Sequence, residues 1–290
     1  MLVGLNYTPR ENFVGTDSFT YTVIDDGTTV EFGTGGLEVD DPRIASNTVS
    51  IEVLPINDPP QFSGPSNVTI DEDDGAVTIA DWATNVFPGP PTATDEIDNQ
   101  GLEFTITQIG GDFDMLVGTP VAVIDTDTHT ADLQFEAFAD ANGIAIFETV
   151  LTDIPSDGTP AESTNVRTFT ITVNSVNDPP TFTPGGPVVV DEDSGPYTQT
   201  WATDISPGPA DEADQTVRFE VETPTESEHL FQQLPEISDA GILRFVSAPF
   251  ANGSVDLVVI AIDSGGAASD SVVLTLTITP VNNNPTAVTD

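Results

Sequence analysis

The segment VNDPPTF, Val176 to Phe182, decides how this chain is read, because it recurs twice in altered form. Its near twin INDPPQF spans Ile56 to Phe62, and a worn copy, VNNNPTA, spans Val281 to Ala287. Each comes after a run of alternating residues: VSIEVLP before the first, TFTITVNS before the second and VLTLTITP before the third. Alternation of period two marks a half-buried strand, and a diproline stiffens the chain where it stands. Each segment therefore reads as the end of a strand and the start of a stiff acidic linker.

The flanks repeat as well. Fourteen residues after Asn57 and Asn177 come the acidic triplets of VTIDEDDG (Asp71 to Asp73) and VVVDEDSG (Asp191 to Asp193). DWATNVFPGPPTATDEIDNQGLEFTIT then starts at Asp81, and TWATDISPGPADEADQTVRFEVE at Thr200. One unit has been copied. Residues 59–178 hold one complete repeat, 179–290 a second with its C-terminal linker, and 1–58 the last strands and linker of another. In that first piece Leu5 to Thr8, Ser18 to Ile24 and Val49 to Leu54 match three final strands, so Met1 is expected to mark a truncated repeat.

Within a repeat, about seven short β-branched or alternating runs are separated by Gly, Pro, Asn and Asp, with no competing helical period. The expected fold class is all-β, with tandem seven-stranded β-sandwiches. Trp82 and Trp201 occupy matching places and read as core anchors.

Composition sets the chemistry. The net charge is -43, from 48 acids against 5 basic residues, and all five are arginines. Such a surface repels nucleic acid and anionic membranes and attracts cations. No cysteine is present, which removes disulfides and thiolate metal sites. No apolar stretch approaches the ~20 residues of a membrane span, and no signal sequence opens the chain, so export signal and anchor are expected outside it. Motifs for a nucleophilic serine, a zinc protease or a phosphate loop are absent, and the acids recur by repeat rather than in one cleft; an enzyme is not expected.

Strands running alternately down and up a sandwich place the acids. Asp95 and Asp98, or Asp211 and Asp214, fall at the linker-entry end with Asp153 or Asp263. Glu72, Asp140 and Asn142 fall at the far end of the first whole repeat, beside the next linker, Asn177 and Asp178. Asn57 and Asp58 form the equivalent earlier linker, where the partial repeat offers only Glu11 or Asn12. So many carboxylates require a cation, and an all-oxygen set suits calcium. The last linker, with Asn283 in place of Asp, is expected to hold no tight ion, although Glu192 and Asn252 reach that end. DTDTHTAD (Asp125 to Asp132) reads as a solvated loop, and His129 and His229 as surface residues.

The acidic segment at Ala93, GILRFVSAPFANGSVDLVVIAIDSGG at Gly241 and the linkers together resemble the calcium-binding segments of cadherin repeats, most closely bacterial cadherin-like tandem repeats. The resemblance covers essentially the whole chain. It implies a Greek-key sandwich, calcium between successive repeats, an extended stiff rod and an extracellular or cell-surface parent protein. Partners would then be calcium and a like repeat, another surface protein or a glycan, with a secreted glycoside-acting enzyme a remote alternative. Where cadherins carry Asp-Arg-Glu, this chain has Asp140-Ala141-Asn142 and Phe250-Ala251-Asn252.

Overall fold

The alternating runs form strands whose inward rows are apolar and whose outward rows are polar. A computed structural model describes residues 4–25, 28–30, 38–40, 43–97, 99–156 and 158–282. The chain divides into two units, Met1–Asn174 and Ser175–Asp290.

The first unit opens with β1 (Gly15–Ile24), β2 (Thr28–Val30), β3 (Glu38–Asp40) and β4 (Ile44–Val53), in which β1 pairs with β4 and β2 with β3, both antiparallel. A sandwich comes next: β5 (Gln61–Ser63), β6 (Val68–Asp71), β7 (Ala76–Phe87), β8 (Gln100–Gly111), β9 (Val121–Asp125), β10 (Thr130–Glu136), β11 (Gly143–Pro155) and β12 (Arg167–Asn174). One sheet runs β5-β7-β10-β9 and the other β6-β12-β11-β8. The one-turn helix α1 (Thr94–Ile97) lies between β7 and β8. Trp82, 1% exposed, packs edge-on against Phe104 and Phe169, and its indole N–H donates to the Ser66 carbonyl at 3.1 Å.

The second unit contains β13 (Thr181–Pro184), β14 (Val188–Asp191), β15 (Pro196–Thr200), β16 (Ala202–Ser206), β17 (Val217–Glu222), β18 (Phe231–Ile237), β19 (Ile242–Ser247), β20 (Gly253–Asp263) and β21 (Val272–Thr279). Its larger sheet, β14-β21-β20-β17, has the order of β6-β12-β11-β8; β15-β19-β18 and the pair β13-β16 lie beside it. Trp201 is buried and its N–H donates to the Gly186 carbonyl at 3.1 Å, the same bond as at Trp82.

The all-β sandwich is as the sequence predicts; the strand count is not. A first strand of about ten residues is expected, but it breaks at Gly64–Pro65, so β5 pairs with β7 while β6 pairs with β12 in the other sheet. Proline has no N–H for the ladder, and Gly64 at φ 105° turns the chain between sheets. In the second unit the next strand also breaks, because the Trp201 and Ala202 amides both turn to the Gly241 carbonyl, at 2.8 and 3.0 Å. Leu5 to Thr8 is not a strand. Tyr7 instead donates its hydroxyl to Asp17 at 3.0 Å, and Pro9 ends the run.

Candidate functional site

Strand alternation carries a carboxylate into each interior. Along β11 the inward row is Ala145, Phe147, Thr149, Leu151 and Asp153; along β20 it is Val255, Leu257, Val259, Ala261 and Asp263. Asp153 is 0% exposed, so both its oxygens need donors. They find them in the linker and the next loop. The Asn57 side-chain amide donates to Asp153 Oδ2 at 3.1 Å and to the Pro160 carbonyl at 3.0 Å, and the Glu162 amide donates to Asp153 Oδ1 at 2.8 Å. The Gln100 side chain completes the grip by donating to Asn57 Oδ1 at 2.7 Å.

The second unit repeats this. Asn177 donates to both Asp263 oxygens, at 3.3 and 3.2 Å, and accepts from Gln215 at 2.7 Å. Asp263 Oδ1 also accepts the amides of Gly266 and Ala267, at 2.6 and 3.0 Å.

A second buried carboxylate stands one residue along the same linker. Glu96 Oε1 accepts the Asp58 amide at 2.7 Å, and Glu212 Oε1 accepts the Asp178 amide at 3.0 Å. Glu96 is 2% exposed and Glu212 4%. Neither is among the residues expected from the sequence, which points to the flanking Asp95, Asp98, Asp211 and Asp214 as the functional acids. Each glutamate lies against a glycine between two prolines: a Cβ on Gly89 or Gly208 would fall 1.7 Å from its Oε2. The recurring PGP is the signal available. Burial pushes the Glu96 carboxyl above its ordinary value; the Asp58 N–H bond opposes this, while the charges of Asp58, Asp95 and Asp153 add to it.

Asp95 lines a cleft of about 240 Å³ with Asn57, Glu96 and Gln100, and a neighbouring one with Asp58 and Arg10. Asp211 accepts the Ser175 hydroxyl at 2.8 Å, and Asp214 is exposed. Asp98 and Asn283 lie outside the described residues.

The other end of each sandwich has its own buried glutamate. Asn142 donates to Glu72 Oε2 at 3.2 Å, and Asn252 to Glu192 Oε2 at 3.0 Å, while Glu192 Oε1 accepts the Val281 amide at 3.0 Å. Asp140 is exposed in the adjoining turn, at φ 58°. The same turn recurs at Asn12 (φ 55°) and Phe250 (φ 60°), each three residues before a glycine of positive φ. This turn places Val14 where Asn142 and Asn252 stand, so the first piece lacks that amide. The Asp125 to Asp132 stretch covers the end of β9, the turn and the start of β10; Asp125 Oδ1 accepts the Asp127 and Thr128 amides and is held below the usual carboxylate range by them. His129 packs on the Phe87 ring at 4.1 Å.

The donor set suits a hard cation in kind, being oxygen throughout. In arrangement it is less complete: among the described residues no group of three or more Asp, Glu or His is placed so that it could hold an ion. Asn57, Asp153, Asn177 and Asp263 serve within their own units as hydrogen-bond partners, Asn57 to Asp153 and Asn177 to Asp263. Glu96 Oε2 and Glu212 Oε2 are buried without a hydrogen-bond partner among the described residues, as is Gln100 Oε1.

No protein-family model matches the chain, and no curated protein matches it either. Solved structures similar to it include mouse cadherin-23 EC22-24, at 20% identity over 95% of this chain and 78% of that one, with a TM-score of 0.40. Mouse protocadherin-24 EC1-3 is 13% identical over 89% and 90%, with a TM-score of 0.35. The human desmocollin-1 ectodomain is 15% identical over 96% and 56%, with a TM-score of 0.36. The sandwich fold rests on the strand order itself rather than on likenesses this distant.

Proposed function

We propose that this chain is a calcium-binding structural stretch of a protein displayed outside the cell, acting as a spacer that calcium at the acidic linkers makes stiffer. The supporting observation is the gathering of Asp58, Asp95, Glu96 and Asp153 around one linker, with Glu96 buried and its charge disfavoured by the other three. Like charges at this density favour a bound cation. Oxygen donors alone favour calcium, which tolerates irregular coordination better than magnesium does. Asp58 and Asp95 would hold it in the first unit, and Asp178, Asp211 and Asp214 in the second. Glu72, Asp140 and Asn142 supply further oxygens at the other end of the first sandwich. No catalytic role is part of this proposal.

The test is a calorimetric calcium titration of the whole chain after chelation, with melting curves and scattering in both states. Binding to the native state alone would stabilise it by roughly 2.7 kcal/mol at a hundred times the Kd. Identical melting and scattering with calcium and with chelator would sink the calcium reading.

Adhesion to a like repeat or another surface protein is a second reading. It is favoured by the exposed rings of Phe113 (64%) and Phe250 (70%), with Phe138 also exposed.

A further inference from the structure

The repeated Asn-Asp-Pro-Pro has a donor count that the structure explains. Prolines carry no N–H, so between Asp58 and Pro60, and between Asp178 and Pro180, one backbone donor remains, that of the aspartate. In both units this donor meets a buried glutamate, Glu96 or Glu212. The residue before it is anchored through its side chain by the inward-facing Asp153 or Asp263. A glycine between two prolines leaves room for the glutamate's second oxygen in each case.

We propose that Glu96 and Glu212 are linker-docking residues, each seating the Asn-Asp-Pro-Pro segment on its own sandwich through protein hydrogen bonds alone, without a metal ion. Every group in the contact is supplied by the chain: a backbone N–H, a carboxylate, and the Asn–Asp–Gln side-chain set beside it. An ion would then act on a linker already in place.

The direct test is amide exchange at Asp178, read by NMR on the full chain in excess chelator. A hydrogen bond to a charged acceptor should slow exchange by roughly tenfold to a hundredfold relative to an exposed amide. Glu212→Ala should abolish that protection while exchange in the β20–β21 ladder stays slow. Glu212→Gln keeps an acceptor oxygen and should retain most of the protection. Gly208→Ala, whose Cβ would occupy the place of Oε2, should behave like the alanine variant. Fast exchange at Asp178 in the wild-type chain under chelation would overturn the inference, as would unchanged protection in Glu212→Ala. Protection appearing only with calcium would also overturn it while supporting the calcium reading. Protection in chelator with no response to calcium would do the reverse.

Discussion

The two linker ends use the same four residue types but finish the job differently. In the second unit Gln215 works at both ends, donating to Asn177 and accepting the Gly265 amide at 2.9 Å, and Asp263 closes a tight turn through Gly266 and Ala267. In the first unit Gln100 donates to Asn57, but its own oxygen has no hydrogen-bond partner among the described residues, and Asp153 reaches nine residues along the chain to Glu162. Glutamate, asparagine and inward aspartate stay in place while the loop after β11 or β20 changes. The linker anchor is thus a property of the sandwich, and the loop supplies only whatever donors its length permits.

This contrast can be broken by mutation. Each unit has one tryptophan, Trp82 or Trp201, so denaturation can be followed separately by silencing the other with phenylalanine. The largest effect is expected at the inward aspartates. Asp263→Ala frees three amide donors and should cost about 3 kcal/mol; Asp153→Ala frees two and should cost about 2. Equal losses in chelator would mean that the second loop amide on Asp263 adds nothing. Next come the glutamines. Gln215→Ala removes two hydrogen bonds and should cost the second unit about 1.5 kcal/mol, against about 0.5 for Gln100→Ala in the first. A larger loss at Gln100 would reverse the ranking of the two networks.

The smallest effect concerns Glu96 and is read through pH. Its folded pKa lies above its unfolded one, so the native state binds a proton more tightly, and the charged form is a cost to stability. That cost is present above the folded pKa and is relieved as pH falls through it toward the unfolded value. In chelator, Glu96→Gln should therefore raise the melting temperature of the first unit by about 1–3 °C at neutral pH, with the difference shrinking in acid. A gap that widens in acid would contradict the burial argument.

The strands, the two tryptophans and the linkers are legible in the sequence because each rests on local periodicity or on close recurrence. The break after Ser63 is less so: Gly64–Pro65 marks a turn, but only the sandwich shows that β6 then joins the other sheet. Asp153 and Asp263 stand out as functional, yet alternation along β11 and β20 adds that they face inward and must be bonded. The sequence offers Asn57 and Asn177 for their oxygens, whereas the structure has the amide nitrogens facing the aspartates; nothing in a sequence distinguishes the two ends of an Asn side chain. Glu96 and Glu212 escape notice because a one-turn helix or a 3₁₀ turn has no periodicity to reveal its buried side. The glycine in each PGP records that burial indirectly, by leaving out the Cβ that would collide with the carboxylate.

The parallel pairing of β6 with β12, and of β14 with β21, has a mechanical consequence. Tension along the chain pulls the first strand of each pair toward its N-terminus and the second toward its C-terminus. Because the strands are parallel, these pulls slide them past one another. Four residue pairs are then loaded together, Val68 to Asp71 against Ile171 to Asn174 in one sandwich and Val188 to Asp191 against Leu276 to Thr279 in the other. An antiparallel hairpin pulled from its open end would instead give way one bond at a time. Tension on either sandwich would therefore load these four pairs in shear rather than peel them one by one.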